Sequence, residues 1–244
     1  MTAPAIETNG LTRRYGALTA VDHLNIRVEK GELFALLGVN GAGKTTTIRM
    51  LCCLTKPTEG DAVLSGASIV REPTHVKEKI GVSPQETAVA ANLTAEENLR
   101  LMCGMHGLSR AETDEKVRAL SERFHLNEVL SRRAGKLSGG WQRRLSIAMA
   151  LVSDPEILFL DEPTLGLDVI ARSELWDVIR GMKGHATIIL TTHYMEEAEA
   201  LSDRVGVMKD GRLLALGTPD ALKAQTGQEK FEDAFIAIVR GASK

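Results

Sequence analysis

The sequence predicts an α/β fold with an N-terminal antiparallel β layer and an inserted helical lobe. Three observations predict it. "LFALLG", "EILFLDEP" and "ATIILTTH" are short, continuous apolar runs, the pattern of strands buried on both faces. The first thirty or so residues instead alternate apolar and polar around turn signals, as a half-exposed antiparallel layer does. From about Thr94 to Val152 the period becomes helical, opened by two capping-box patterns, Thr94-Ala-Glu-Glu97 and Ser109-Arg-Ala-Glu112.

Within the N-terminal layer, Lys30-Gly31-Glu32 reads as a hairpin turn leading into "LFALLG". After the helical lobe, a helical stretch separates "EILFLDEP" from "ATIILTTH". "RVGVMKDGRLLALG" then reads as a hairpin turning at Asp210-Gly211. The tail "KFEDAFIAIVRG" spaces Phe231, Phe235 and Ile238 as i, i+4, i+7, a helix expected to dock on the chain's own surface. The 244 residues are read as a single domain, 1–244. Its core covers about 1–90 and 153–220, the lobe about 91–152, and a short C-terminal helix about 229–240.

Hydrophobic residues make up 43% of the chain and charged ones 25%, enough apolar content for a packed core. Thirty Lys and Arg against 32 Asp and Glu leave a net charge of −2, which argues against a basic nucleic-acid platform. The start, "MTAPAIETNGLTRRYG", has no apolar segment of the secretory kind. No apolar run reaches the length of a membrane span, so a membrane role is expected only through a partner. Cys52, Cys53 and Cys103 lack metal-ligand spacing and read as reduced, core-filling thiols.

"GVNGAGKTT" matches G-x-x-x-x-G-K-[ST], and it follows a predicted strand and opens a helical pattern, the context a phosphate-binding loop needs. Its glycines, Gly38, Gly41 and Gly43, allow a tight turn. With Asn40, Ala42 and Thr46 they leave successive N–H groups to wrap phosphates. Lys44 is placed to reach the β- and γ-phosphates and Thr45 to hold Mg²⁺. Downstream, Asp161 ends an apolar strand as a second Mg²⁺ ligand, and Glu162 beside it is a candidate general base for water attacking the γ-phosphate. A lone Asp-Glu pair is usually a solvated loop; with a phosphate loop it signals a nucleotide hydrolase. The guanine-reading Asn-Lys-x-Asp motif is absent from the sequence, which disfavours GTP. A second stretch, "KLSGGWQRRLSIAMAL", opens a helix with Ser138, Gly139 and Gly140, another donor-rich anion cradle, but one lacking its own lysine.

In order, the phosphate loop, "GVSPQE", "LSGG", "FLDEPTLGLD" and "TTH" resemble the nucleotide-binding subunits of ATP-binding cassette (ABC) transporters, over nearly the whole chain. Taken singly, each of the later motifs is weak; their order is specific. The resemblance implies a RecA-like P-loop NTPase core, the ABC ATPase fold, with ATP and Mg²⁺ as cofactors. It implies that Tyr15 stacks on adenine, that Gln85 senses Mg²⁺ and the membrane partner, and that His193 contacts the γ-phosphate. It implies further that Ser138, Gly139 and Gly140 cap ATP held by a second subunit, and that Asp168 ends the segment crossing to it. Two residues depart from the family's pattern. Trp141 stands where a glutamine is usual, and Gly166, in "TLGLD", stands where many relatives have serine-alanine, keeping the position small.

"THYMEEAE", the short lobe and the tail "FEDAFIAIV" resemble the branch exporting drugs, antibiotics, lipo-oligosaccharides and sodium. The chain ends soon after this tail, with no appended regulatory domain expected. The implied function is an ATP-hydrolysing motor subunit, a homodimer beneath a separate integral permease on the inner face of the cell membrane, with no nucleic-acid partner. The competing reading is an ABC ATPase acting on ribosomes or DNA, against which the single cassette and missing heptad run weigh.

Overall fold

The computed structural model describes residues 3–241. Two sheets organise the chain. The first is antiparallel: β1 (Ile6–Tyr15) pairs with β2 (Leu18–Leu24), with β3 (Arg27–Val28) and with β5 (Glu59–Leu64), which carries β6 (Ala67–Ser68). The alternation in the first thirty residues thus forms the expected layer. Its fourth and fifth strands come from beyond the phosphate loop.

The second sheet has six strands in the order β11-β10-β4-β9-β8-β7. These are β4 (Leu33–Gly38), β7 (Ile80–Ser83), β8 (Ile157–Asp161), β9 (Thr187–Thr192), β10 (Arg204–Lys209) and β11 (Arg212–Gly217). All neighbours run parallel except the β10–β11 hairpin at the edge. Every residue of β4, β8 and β9 is buried, as their unbroken apolar runs require.

Lys30-Gly31-Glu32 is not a hairpin turn. β3 lies in the antiparallel sheet on β1, whereas β4 is central in the other, between β10 and β9. The turn carries the chain from one sheet to the next. A strand with both edges taken by parallel neighbours has no edge left for a hairpin partner. Arg204 fastens this crossing, bonding Glu32 and the carbonyl of Arg27.

The helices are α1 (Lys44–Leu51), α2 (Pro73–Lys79), α3 (Ala95–Met105), α4 (Arg110–Arg123), α5 (Gly139–Ala150), α6 (Val169–Arg180), α7 (Met195–Leu201), α8 (Pro219–Thr226) and α9 (Phe231–Gly241). Both capping boxes form, with Thr94 and Glu97 bonding reciprocally at α3 and Ser109 and Glu112 at α4. Helices α3–α5 are not a detached module: Leu99, Phe124 and Leu145 share one apolar cluster with Leu158, Leu160 and Leu190 of the parallel sheet. Phe231 and Phe235 seat α9 against Leu37 and Val207, so the tail helix docks on the chain itself.

Candidate nucleotide-binding site

The candidate residues gather where the parallel strands end. Gly38 closes β4, Ser83 closes β7, Asp161 closes β8 and Thr192 closes β9, and each is followed by a motif singled out in the sequence. The carboxyl edge of such a sheet is where loops, free of ladder bonds, leave room for a ligand.

Between β4 and α1 the loop wraps around a glycine that no other residue could replace. Gly43 sits at φ 102° as the N-cap of α1, and a Cβ there would lie 2.4 Å from the carbonyl oxygen of Ala20. With no side chain capping it, the first turn of α1 keeps its N–H groups for an anion. Lys44 is only 5% exposed. Its ammonium donates to the carbonyls of Gly38 (2.8 Å) and Val39 (3.4 Å) and lies 3.4 Å from Glu162 Oε1.

Glu162 is held in a left-handed conformation, φ 49°, unfavourable for a side chain with a Cβ. Its N–H donates to the carbonyl and the hydroxyl of Thr191, both at 3.1 Å, which fixes the carboxylate despite the strain. Oε2 lies 2.6 Å from His193 Nδ1. Lys44, Glu162 and His193 therefore form a polar chain across the mouth of the loop.

Asp161 is buried behind this chain and accepts from the Thr191 hydroxyl at Oδ1. Burial raises its carboxyl above the ordinary carboxylate value; the Thr191 bond opposes the shift, and the charge of Glu162 adds to it. The Thr45 hydroxyl faces Oδ1 at 3.5 Å. Two hard oxygen donors flank this gap, one of them a carboxylate that burial makes costly to ionise. That donor set fits Mg²⁺, which binds through one or two protein oxygens plus phosphate and water. Gln85 reaches the same cleft.

The cleft itself encloses about 670 Å³ and is lined by Tyr15, Asn40, Gly41, Ala42, Gly43, Lys44, Thr45, Thr46, Gln85, Glu162 and His193. Gly38 does not line it: its part is to supply the carbonyl that Lys44 grips. Tyr15 is 45% exposed at the rim, with the Arg13 guanidinium 4.4 Å from its ring centroid. Sequence reading missed Leu18, Thr19, Ala20, Leu165 and Asp210, which also line the cleft. Leu165 lies within the flagged "FLDEPTLGLD" motif; the others come from the antiparallel layer and the β10–β11 hairpin, regions whose only sequence signal was for a fold.

Ser138, Gly139 and Gly140 are not in this cleft. Ser138 and Gly140 line a separate hollow with Trp141, Arg144, Asp168, Ile170, Ala171 and Glu174. Ser138 has the extended backbone of an N-cap (φ −63°, ψ 161°), yet its hydroxyl makes no capping bond. Trp141 packs partly buried against the core, its ring 5.0 Å from the Arg144 guanidinium, which in turn pairs with Glu174. Asp168 caps α6, accepting from the N–H of Ala171 at 2.9 Å. Gly166 keeps its place for a different reason than small size. Open space surrounds it, and its φ of 75° is what a side chain would resist.

A buried carboxylate that the sequence did not flag ties these segments together. Glu197 of α7 accepts from Thr164, two residues past Glu162, at 2.8 Å and from Trp176 Nε1 of α6 at 3.1 Å. Burial raises its carboxyl above the ordinary value.

A phosphate loop at the end of a central parallel strand, completed by Asp161, Glu162 and His193 from the next two strands, defines a P-loop nucleotide-binding protein. Comparison with known proteins narrows this. The ABC transporter family model matches residues 21–165, and the chain belongs to that family. It is 41% identical over 98% of its length to "Probable multidrug ABC transporter ATP-binding protein YbhF" of Escherichia coli, of which it spans 42%. It is 42% identical over 95% of its length to "Daunorubicin resistance ATP-binding protein DrrA3" of Streptomyces coeruleorubidus, of which it spans 74%. Among solved structures it resembles a dimeric ATP-binding cassette in a post-hydrolysis state bound to ADP and Pi. The TM-score is 0.79 at 25% identity, covering 87% of this chain and 98% of that one. The ABC ATPase fold expected from the motif order is the fold observed.

Proposed function

We propose that this chain is the ATP-hydrolysing motor of an ABC exporter, working as a dimer beneath a separate integral permease at the inner face of the cell membrane. The observation that carries the reading is the Lys44–Glu162–His193 chain at the mouth of the phosphate loop. It brings a phosphate-binding cation, a carboxylate and an imidazole within contact of one another. No helix among the described residues is long and apolar enough to cross a membrane, which supports a translocation path supplied by a partner. The names of the multidrug and daunorubicin-resistance relatives favour an exporter over a ribosome- or DNA-acting ATPase.

Each residue's part follows from its position. The free N–H groups of the loop and of α1 hold the phosphates, and Lys44 leaves the Gly38 and Val39 carbonyls for the β- and γ-oxygens. Glu162 accepts a proton from the attacking water. His193 orients Glu162 through the 2.6 Å bond and faces the γ-phosphate. Thr45, Asp161 and Gln85 would hold Mg²⁺, which when bound neutralises charge building on the phosphate oxygens. Tyr15 gives adenine a flat, sequence-tolerant surface at the rim. Ser138, Gly139 and Gly140 face away from the chain's own cleft and serve the nucleotide of a second subunit.

The test is affinity capture of the tagged protein from detergent-solubilised membranes, with ATPase activity measured on the captured material. A polytopic membrane protein should co-purify in stoichiometric amount. Capture of ribosomes or DNA in its place would overturn the transport reading.

A further inference from the structure

One face of α5, over residues 142–146, is bound to the segment that carries Gln85. Ser146 Oγ lies 3.0 Å from Ser83 Oγ, at the end of β7. Arg143 donates through Nη1 to the Pro84 carbonyl at 2.6 Å and through Nη2 to the Gln85 carbonyl at 2.5 Å. Gln142 accepts from Thr87 at 3.4 Å, while its own amide donates to the carbonyls of Ala134 and Leu137, just ahead of Ser138. The three contacts run in register, because residues 142, 143 and 146 share a helix face.

Arg143 is the strongest of these ties. It is 4% exposed, and among the described residues it forms no ion pair. A buried guanidinium that donates to two consecutive main-chain carbonyls is committed to the geometry of that main chain. Its planar fork has the spacing that a lysine's single ammonium lacks. The segment it grips lies between regular elements, since β7 ends at Ser83 and α3 begins only at Ala95, and the next ties come farther on, where Asn98 holds Ala90. Gln85 itself is exposed into the cleft. Its side chain is thus aimed by a backbone fixed from the helix that opens with Ser138.

We propose that Arg143 is a positioning residue that sets Gln85 in the nucleotide cleft and makes the Gln85 segment move as one body with the Ser138 helix. The inference rests on the reading above, in which Gln85 serves the nucleotide.

The experiment compares Arg143→Met and Arg143→Lys with the wild-type chain by three readouts. Backbone order parameters of residues 85–88 in the nucleotide-free protein, from ¹⁵N relaxation, should fall below about 0.6 in the methionine variant, with the phosphate loop unchanged. Equilibrium binding of a fluorescent ATP analogue should stay within about twofold, since Arg143 does not line the cleft, while turnover falls about tenfold. In a Gln85→Ala background, Arg143→Met should cost less than about twofold more, because both changes disable the same group. Unchanged order parameters at 85–88, or an undiminished loss in the Gln85→Ala background, would overturn the proposal. If Gln85→Ala alone turns over normally, the role given to Gln85 fails, and the relaxation result still decides whether Arg143 holds the segment. Should the methionine variant fail to fold, the lysine variant carries the test, with shifts of the same sense and smaller size.

Discussion

The two anion cradles of this chain are built alike and finished differently. At the start of α1, Lys44 already has three partners, and Thr45 of α1, Asp161 and Glu162 at the end of β8 and His193 after β9 converge on it. At the start of α5, Ser138 has the same backbone angles as the capping residues Thr94, Ser109, Asp168 and Thr218. Those four close their own helices with a side-chain bond, and Ser138 does not. In those four the side-chain oxygen accepts from the helix's own N–H; at α5 that bond is absent, which supports the proposal that Ser138 and the first-turn N–H groups serve a nucleotide held by a second subunit. On that proposal the first cradle is a site and the second is half of one.

The sharpest break between them is chemical. Glu162→Gln should retain ATP binding and lower turnover by about 10²–10⁴-fold, the usual worth of a general base. It should also accumulate a dimer in ATP, because the nucleotide between the subunits persists. Phosphate release beside size-exclusion chromatography measures both, and a normal rate would remove Glu162 from the mechanism.

Lys44→Ala acts on binding. Losing charge-assisted bonds worth about 1.5–3 kcal/mol should weaken ATP affinity by about 10- to 100-fold, with the fold retained. Equilibrium binding of labelled ATP reads this directly; unchanged affinity would mean the lysine only braces the Gly38 carbonyl.

Mixing tests whether the second cradle completes the first across subunits. One chain carries Lys44→Ala and the other Ser138→Arg, each inactive as its own homodimer. If the cradles pair across chains, both defects fall in one site and the mixed dimer regains ATP occlusion at its other site. If each chain completes its own site, no occlusion returns. Differentially tagged pull-down confirms that mixed dimers formed.

The smallest effect is expected at the rim. Tyr15→Ala should raise the KM for ATP about fivefold, the low end of base stacking for a half-exposed ring, and Tyr15→Phe should be nearly silent. An unchanged KM in the alanine variant would make Tyr15 a partner of Arg13 and nothing more.

The sequence by itself determined the parts whose signal is local. Apolar runs without alternation fixed β4, β8 and β9 as buried strands, because a strand covered on both faces has no polar side. The capping boxes, the hairpin at Asp210-Gly211 and the phosphate loop were legible for the same reason: each is a contiguous pattern with its chemistry inside it. Only the tertiary structure decided the rest. It sent Lys30-Gly31-Glu32 across to a second sheet, since whether a strand's neighbour follows it in the chain depends on which edges are already taken. It brought Glu162 onto Lys44 and His193, and it placed Ala20 and Asp210 on the cleft wall. It also revealed Arg143 and Glu197, which look in the sequence like ordinary charged residues of a helix. Their importance lies in burial and in partners 58 and 33 residues away, and no local window holds that information.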